Sequence, residues 1–170
     1  MGTEKTFWFA ARTRYGQELG IRRRLETLGV EHFIPVRRTR SSRTGREVES
    51  QVITNLVFLR ATKSEACDLA NSGMIRVSYI VDCATGTLLV VPDKQMDDFR
   101  RVLDLGLEEG GLVDEQLSLG EWVRVTKGAL RNVEGRVLEL RGRLYVVVGL
   151  LDCCYAKAQV PRSWLERIDR

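Results

Sequence analysis

From Lys5 to Thr13 the chain alternates, with Phe7 and Phe9 on one side and Trp8 and Ala10 on the other, which is the period of a strand. After Arg14-Tyr15-Gly16-Gln17-Glu18 the spacing changes. Ile21, Leu25 and Leu28 recur four and three residues apart, one face of a helix that Gly29 is placed to stop. A further strand is predicted at His32 to Val36. Arg37 to Glu49 is polar and Thr44-Gly45 marks a turn, so this stretch is an extended hairpin arm or a mobile loop. Val52 to Ala61 is nearly all apolar and reads as a buried strand. Ser64 is placed to cap a short helix ending at Gly73. Strands follow at Val77 to Asp82 and Thr87 to Val91. Pro92 then opens a helix through Asp104, with Met96, Phe99 and Leu103 as its apolar spine.

The pattern stops from Leu105 to Gln116, where Gly106, Gly110 and Gly111 sit among acids, a linker composition. Beyond it the alternation is short and repeated. Gly120–Val125, Val133–Leu140, Leu144–Leu150 and Tyr155–Val160 read as strands, with turns at Lys127-Gly128, at Arg141-Gly142 and around Asp152. A closing turn runs from Pro161 to Glu166. A small five-stranded barrel of roughly 50 residues is expected here, viable if its strands close on themselves. The fold class is therefore α+β: an antiparallel sheet with packed helices over 1–105, a linker over 106–117 and a small all-β barrel over 118–170.

Charge sharpens the picture. The net charge is only +4, but Arg12 to Arg46 holds ten Arg against three Glu, while Asp93 to Glu115 holds eight acids against three bases. A basic N-terminal region and an acidic middle suggest an anionic partner on one face. Composition excludes more than it assigns. The single histidine, His32, removes most histidine-based metal sites and most ways of activating a nucleophile. None of Cys67, Cys83, Cys153 and Cys154 forms a C-x-x-C pair, and the four read as small reduced thiols. No glycine-rich phosphate loop is present. The expectation is a chain with no catalytic residue, no metal and no cofactor. No window reaches about 18 uncharged apolar residues, and Met1-Gly2-Thr3-Glu4-Lys5-Thr6 does not open a signal peptide, so a cytoplasmic protein is expected.

Gly120-Glu121-Trp122-Val123-Arg124-Val125-Thr126-Lys127-Gly128, continuing to Gly135-Arg136-Val137, resembles a KOW motif, the opening of an SH3-like barrel. Trp8-Phe9-Ala10-Ala11-Arg12 followed by Gly16-Gln17-Glu18 resembles the opening of the NusG N-terminal domain. Phe33-Ile34-Pro35-Val36, the basic arm, and Ile53-Thr54-Asn55-Leu56-Val57-Phe58-Leu59 resemble specialised NusG paralogues, and Val91-Pro92-Asp93-Lys94-Gln95-Met96 resembles the start of that domain's last helix. The resemblance spans about Lys5 to Ile168 and is nearest to UpxY-type antiterminators, relatives of RfaH. The chain departs from the general factor in three places. Ile53-Thr54-Asn55-Leu56 stands where an aromatic-Pro-Gly-Tyr stretch is usual, Gly128-Ala129-Leu130 stands for Gly-Pro-Phe, and Cys153-Cys154-Tyr155 stands where a more polar loop is usual.

The resemblance implies a non-catalytic transcription elongation or antitermination factor, suppressing pausing or termination on long operons such as those for surface polysaccharides. It implies that Trp8, Ile53, Leu56, Phe58 and Tyr79 line an apolar groove for the clamp helices of RNA polymerase. Alternation sends Trp8 and Phe9 to opposite faces, so only one of them can line it, and each groove residue also fits the domain's own core. Arg12, Arg14, Arg22, Arg23 and Arg24, with Arg37, Arg38 and Arg40 of the arm, are the candidates for contact with non-template DNA; a solvated helix face and a solvated loop are the other readings. Lys127 and Arg131 of the KOW loop would meet a ribosomal protein, a termination factor or RNA. The resemblance also implies a monomer with no membrane partner. The abundance of Val from Val123 to Val148 favours a stable barrel that does not switch to helix. The alternative is an RNA-binding or ribosome-associated KOW protein, which leaves the N-terminal sheet without a role.

Overall fold

The computed structural model describes residues 3–106, 119–150 and 154–170. Their contacts divide the chain into two compact units, Met1–Val91 and Pro92–Arg170. No helix of the described residues is long and apolar enough to cross a membrane.

The first unit runs β1 (Phe7–Arg12), α1 (Glu18–Leu28), β2 (Glu31–Phe33), β3 (Val36–Arg40), β4 (Glu47–Gln51), β5 (Leu56–Ala61), α2 (Lys63–Asn71), β6 (Ser78–Tyr79) and β7 (Val90–Val91). The main sheet has the order β2-β5-β1-β6, with β7 also on β1, and every pairing is antiparallel. β3 and β4 form a separate two-stranded hairpin, so the basic arm is an extended hairpin.

Register assigns the faces of the sheet, because residues directly across an antiparallel pair share a side. Phe9, Ala11, Val57, Leu59 and Ala61 join Ile21 and Leu25 of α1 and Ala66 and Leu69 of α2 in one buried core. Trp8, Ala10, Leu56 and Phe58 alternate to the opposite face and are buried as well.

Several local expectations are corrected. β5 starts at Leu56 and not at Val52, because Asn55 has φ 60°, a left-handed conformation that Asn tolerates and a strand does not. β6 and β7 are two residues each, shorter than the runs at 77–82 and 87–91 suggest, with one isolated bridge between Val81 and Leu88. The cap of α2 is Thr62 and not Ser64. The Thr62 hydroxyl accepts from the Glu65 amide at 3.2 Å and the Glu65 carboxylate accepts from the Thr62 amide at 2.8 Å, a capping box. Leu28 is 41% exposed and takes no part in the core; the buried line of α1 is Glu18, Ile21 and Leu25.

The second unit holds α3 (Asp93–Gly106), β8 (Trp122–Val125), β9 (Glu134–Leu140), β10 (Arg143–Leu150), β11 (Cys154–Gln159), a 3-10 turn at Arg162–Trp164 and β12 (Leu165–Arg167). The strands form one antiparallel sheet in the order β11-β10-β9-β8-β12. The expected closure is not observed: β11 and β12 are the two ends of the sheet and do not pair with each other among the described residues. β12, read from the sequence as part of a closing turn, is a strand paired with β8 through Leu165 and Val125.

α3 groups with this second sheet by contacts. It is held there by side chains reaching backbone carbonyls. Lys94 donates to Asn132 at 2.7 Å, Gln95 to Gly149 at 2.6 Å, and Arg101 to both Ala129 and Arg131 at 2.8 Å. Asp98, buried beside Lys94, accepts the Glu134 amide at 3.1 Å. The expected linker 106–117, apart from the helical Gly106, the expected turn at Asp152 and Cys153 lie outside the described residues.

Candidate functional site

The groove candidates do not all come together. Ala10 lies opposite Phe58, Trp8 opposite Arg60 and Arg12 opposite Leu56, so Trp8, Leu56 and Phe58 share one face of the sheet, with Arg12 and Arg60 on the same side. Phe33, across from Phe58, adds a tilted ring contact at 6.3 Å. Ile53 lies in the bend before β5, buried but outside the strand registers.

Tyr79 is on the other face. It lies opposite Ala11, meets Phe9 edge-on at 6.1 Å, and its hydroxyl donates to the Ala66 carbonyl of α2 at 2.7 Å. Tyr79 therefore pins β6 to α2 in the helix-side core and does not line a face shared with Trp8. Burial, with the neighbouring Cys67 as a smaller cause, pushes its phenol up to about 12.

The loop that carries Ile53 and Leu56 is held by a residue that hydrophobic patterning does not register. Glu18, in the first turn of α1, is 0% exposed, and its Oε1 accepts the Asn55 amide at 2.8 Å. Asn55 in turn accepts the Thr13 amide through its carbonyl at 3.1 Å. A carboxylate one residue into a helix is favoured by the helix N-terminus.

The basic candidates fall into two groups. Arg12, Arg14, Arg23 and Arg24 are exposed, and no acid pairs with them among the described residues. Arg22 is engaged, meeting Glu26 at 3.3 Å and Glu49 of the hairpin at 3.8 Å. Arg38 also meets Glu49, at 3.0 Å. Glu49 of β4 thus joins the hairpin to α1 through Arg22 and pairs within the hairpin with Arg38, while Arg37 and Arg40 are exposed on β3. His32 has a structural place: its Nδ1 lies 2.9 Å from the Val30 carbonyl and its Nε2 3.9 Å from Glu26.

Lys127 and Arg131 are exposed in the turn between β8 and β9. Gly128 has φ 79° there, and a Cβ on it would lie 2.4 Å from the Trp164 ring. Gly135 is equally constrained, since a Cβ would lie 2.4 Å from the Val147 carbonyl. Gly128 and Gly135 are thus required by shape. Next to this turn Arg124 pairs with Glu134 at 2.8 Å, which holds the Glu134 carboxyl below the usual carboxylate range and raises the Arg124 guanidinium. Among the described residues no group of three or more His, Cys, Asp or Glu is placed to hold a metal ion. Cys67 and Cys83 are exposed free thiols, and Cys154 is half-buried.

These features can be set against known proteins. The family model described as "NusG: Transcription termination factor nusG" matches residues 6–100, more than half of the chain. The chain belongs to the NusG family. NusG-family proteins are non-enzymatic transcription factors that act with RNA polymerase. A solved structure described as "Domain interaction in Thermotoga maritima NusG" is 21% identical, covers 97% of this chain and 98% of that one, and superposes with a TM-score of 0.51. It supports a NusG-like fold. A structure of an MjSpt4:Spt5 complex is 16% identical over 96% of this chain and 97% of that one, and its TM-score of 0.29 adds nothing to that assignment. No curated protein matches the sequence.

Proposed function

We propose that this NusG-family chain is a specialised elongation and antitermination factor that binds the clamp helices of RNA polymerase and suppresses pausing or termination. The observation that carries this reading is the register of β1 on β5, which supports a single apolar face built from Trp8, Leu56 and Phe58. An apolar sheet face receives a helical hairpin by burying side chains, and large aromatics supply most of such binding. These side chains are buried in the structure, so the partner reaches them only when the face is uncovered. Tyr79, on the other face, is left out of the groove.

Arg12 stands on the same side of the sheet as Leu56, and Arg14, Arg23 and Arg24 continue the basic surface onto α1. In this reading they hold the non-template DNA strand while the apolar face holds the polymerase, and Arg37, Arg38 and Arg40 extend the basic surface along the hairpin. Lys127 and Arg131, in the KOW-like turn between β8 and β9, meet a ribosomal protein, a termination factor or RNA. Long operons, those for surface polysaccharides among them, are the proposed targets, and the cytoplasm is the proposed location.

The test is comigration of the full chain with purified cognate core polymerase on gel filtration. The result expected is a complex dispersed by an excess of a peptide spanning the clamp-helix hairpin. Absence of a complex, together with binding to structured RNA alone, moves the assignment to an RNA-binding KOW protein.

A further inference from the structure

Two residues of the basic surface flank a hydrogen bond that reaches the apolar face. Arg12 and Arg14 are exposed, and Thr13 stands between them. The Thr13 amide donates to the Asn55 carbonyl at 3.1 Å, and the Asn55 amide donates to Glu18 Oε1 at 2.8 Å. Asn55 is thus gripped through both of its backbone polar groups by the segment 13–18. Leu56 follows it directly as the first residue of β5 and shares its side of the sheet with Trp8, Phe58 and Arg12. The basic surface and the apolar face are joined through these two bonds.

Packing does not explain the acid in this arrangement. Glu18 is buried on the line of α1 that also holds Ile21 and Leu25, a place apolar side chains ordinarily fill. Its Oε1 takes the Asn55 amide, and its Oε2 has no hydrogen-bond partner among the described residues. Burying a half-satisfied carboxyl group is costly, so what Glu18 supplies is its hold on Asn55. The grip has little slack. Asn55 is left-handed at φ 60°, the Thr13 hydroxyl donates to the Arg76 carbonyl at 3.1 Å, and the Gln17 amide donates to the Arg14 carbonyl at 3.1 Å. A ligand that orders residues 12–18 therefore orders the bend at Asn55 as well. A second ligand then meets a face whose freedom is already lost, and binds more tightly for that reason.

We propose that Glu18 is a positioning residue that couples two ligands of this unit. DNA held at Arg12 and Arg14 strengthens docking of the polymerase hairpin on the Leu56 face, and the hairpin strengthens DNA binding by the same factor. The equality follows from linkage, because one coupling free energy changes both affinities. The coupling rests on the proposed function, which supplies both ligands. It makes each affinity depend on the other ligand, which two independent surfaces on one domain do not.

The experiment titrates the full chain with a fluorescent peptide spanning the clamp-helix hairpin, with and without a saturating mixed-sequence single-stranded DNA oligonucleotide, and then exchanges the roles of the two ligands. The parent is expected to bind the peptide at least about 5-fold tighter with DNA present, and DNA tighter by the same factor with the peptide present. Glu18→Gln keeps an acceptor for the Asn55 amide and is expected to keep most of that factor, whereas Glu18→Ala abolishes it. The contrast between the two separates the hydrogen bond from the loss of the acid. A ratio of affinities also does not respond to a general weakening of the fold. Hydrogen exchange at the Asn55 amide of the parent is the second readout, and it decides the matter if Glu18→Ala does not fold: exchange is expected to slow when DNA alone is added. Peptide and DNA that bind the parent independently overturn the proposal, as does a Glu18→Ala chain with the parent's coupling or an Asn55 amide that DNA leaves unchanged. A parent chain that binds the peptide but no DNA overturns it as well. Binding of both ligands without coupling defeats the coupling alone, whereas a parent chain that binds neither the peptide nor polymerase defeats the proposed function with it.

Discussion

Glu18 Oε1 accepts the backbone amide of Asn55 at 2.8 Å, joining the first turn of α1 to the bend before β5. The carboxylate is fully buried, and its Oε2 has no hydrogen-bond partner among the described residues. The bond fixes the left-handed Asn55, and through it the point where β5 begins and Leu56 enters the sheet. Glu18→Ala leaves the Asn55 amide buried and unsatisfied and is expected to cost about 1–3 kcal/mol in urea unfolding. Glu18→Gln keeps an acceptor and loses less. At Asn55, substitution by Gly is tolerated, while Val at φ 60° costs about 1–3 kcal/mol.

Gly128 and Gly142 both have positive φ, at 79° and 74°, but only Gly128 is crowded. A Cβ on Gly142 meets nothing, whereas one on Gly128 strikes Trp164. Gly142→Ala therefore carries backbone strain alone, roughly 1 kcal/mol. Gly128→Ala adds displacement of the Trp164 ring and is expected to lower the unfolding midpoint further, with a change in Trp fluorescence. Equal effects of the two substitutions would show that the Trp164 contact contributes nothing.

The folded state favours the neutral phenol of Tyr79, which it holds at about 12 against an ordinary 10.0. This stabilisation is complete below pH 10 and is lost as the pH rises from 10 to about 12. Chemical denaturation across that window is expected to show a fall in stability that Tyr79→Phe lessens, although the Phe variant also loses the bond to Ala66. Absorbance at the phenolate band gives the titration directly.

Glu49 occupies Arg22 and Arg38 together. Both pairs are partly exposed, so Glu49→Gln is expected to change stability by less than about 1 kcal/mol. It releases Arg38 and leaves Arg22 paired with Glu26 alone, and should tighten DNA binding while steepening its salt dependence, up to about 0.7 per added phosphate contact on a single strand. Titrations of the parent and the variant at several salt concentrations check this.

Much of the fold is legible in the chain because it rests on local period. Ile21 and Leu25 with Gly29 mark α1, and the apolar run through Val57, Phe58 and Leu59 marks β5. The rest depends on tertiary context. Glu18 fills a core position with an ionisable group that hydrophobic spacing does not register, whereas Leu28, at that spacing, is exposed. Thr62 was readable, since Thr62-Lys63-Ser64-Glu65 carries the capping-box spacing that Ser64 lacks. β12 is three residues that become a strand only by pairing with Val125, a partner 40 positions away. The candidate site shows the same division. The arginines were visible by residue type, whereas the face occupied by Tyr79 depends on its register with Ala11 and the engagement of Arg22 on a hairpin contact, and both are tertiary facts.

The central claim is that this chain acts on elongating polymerase. The most direct measurement is RNA-chain elongation by purified cognate polymerase on a template with defined pause sites, with and without the full chain. The account predicts shorter pauses in its presence, with the effect removed by an excess of clamp-helix peptide. Unchanged pause lifetimes at every site, with no polymerase complex formed, would contradict it.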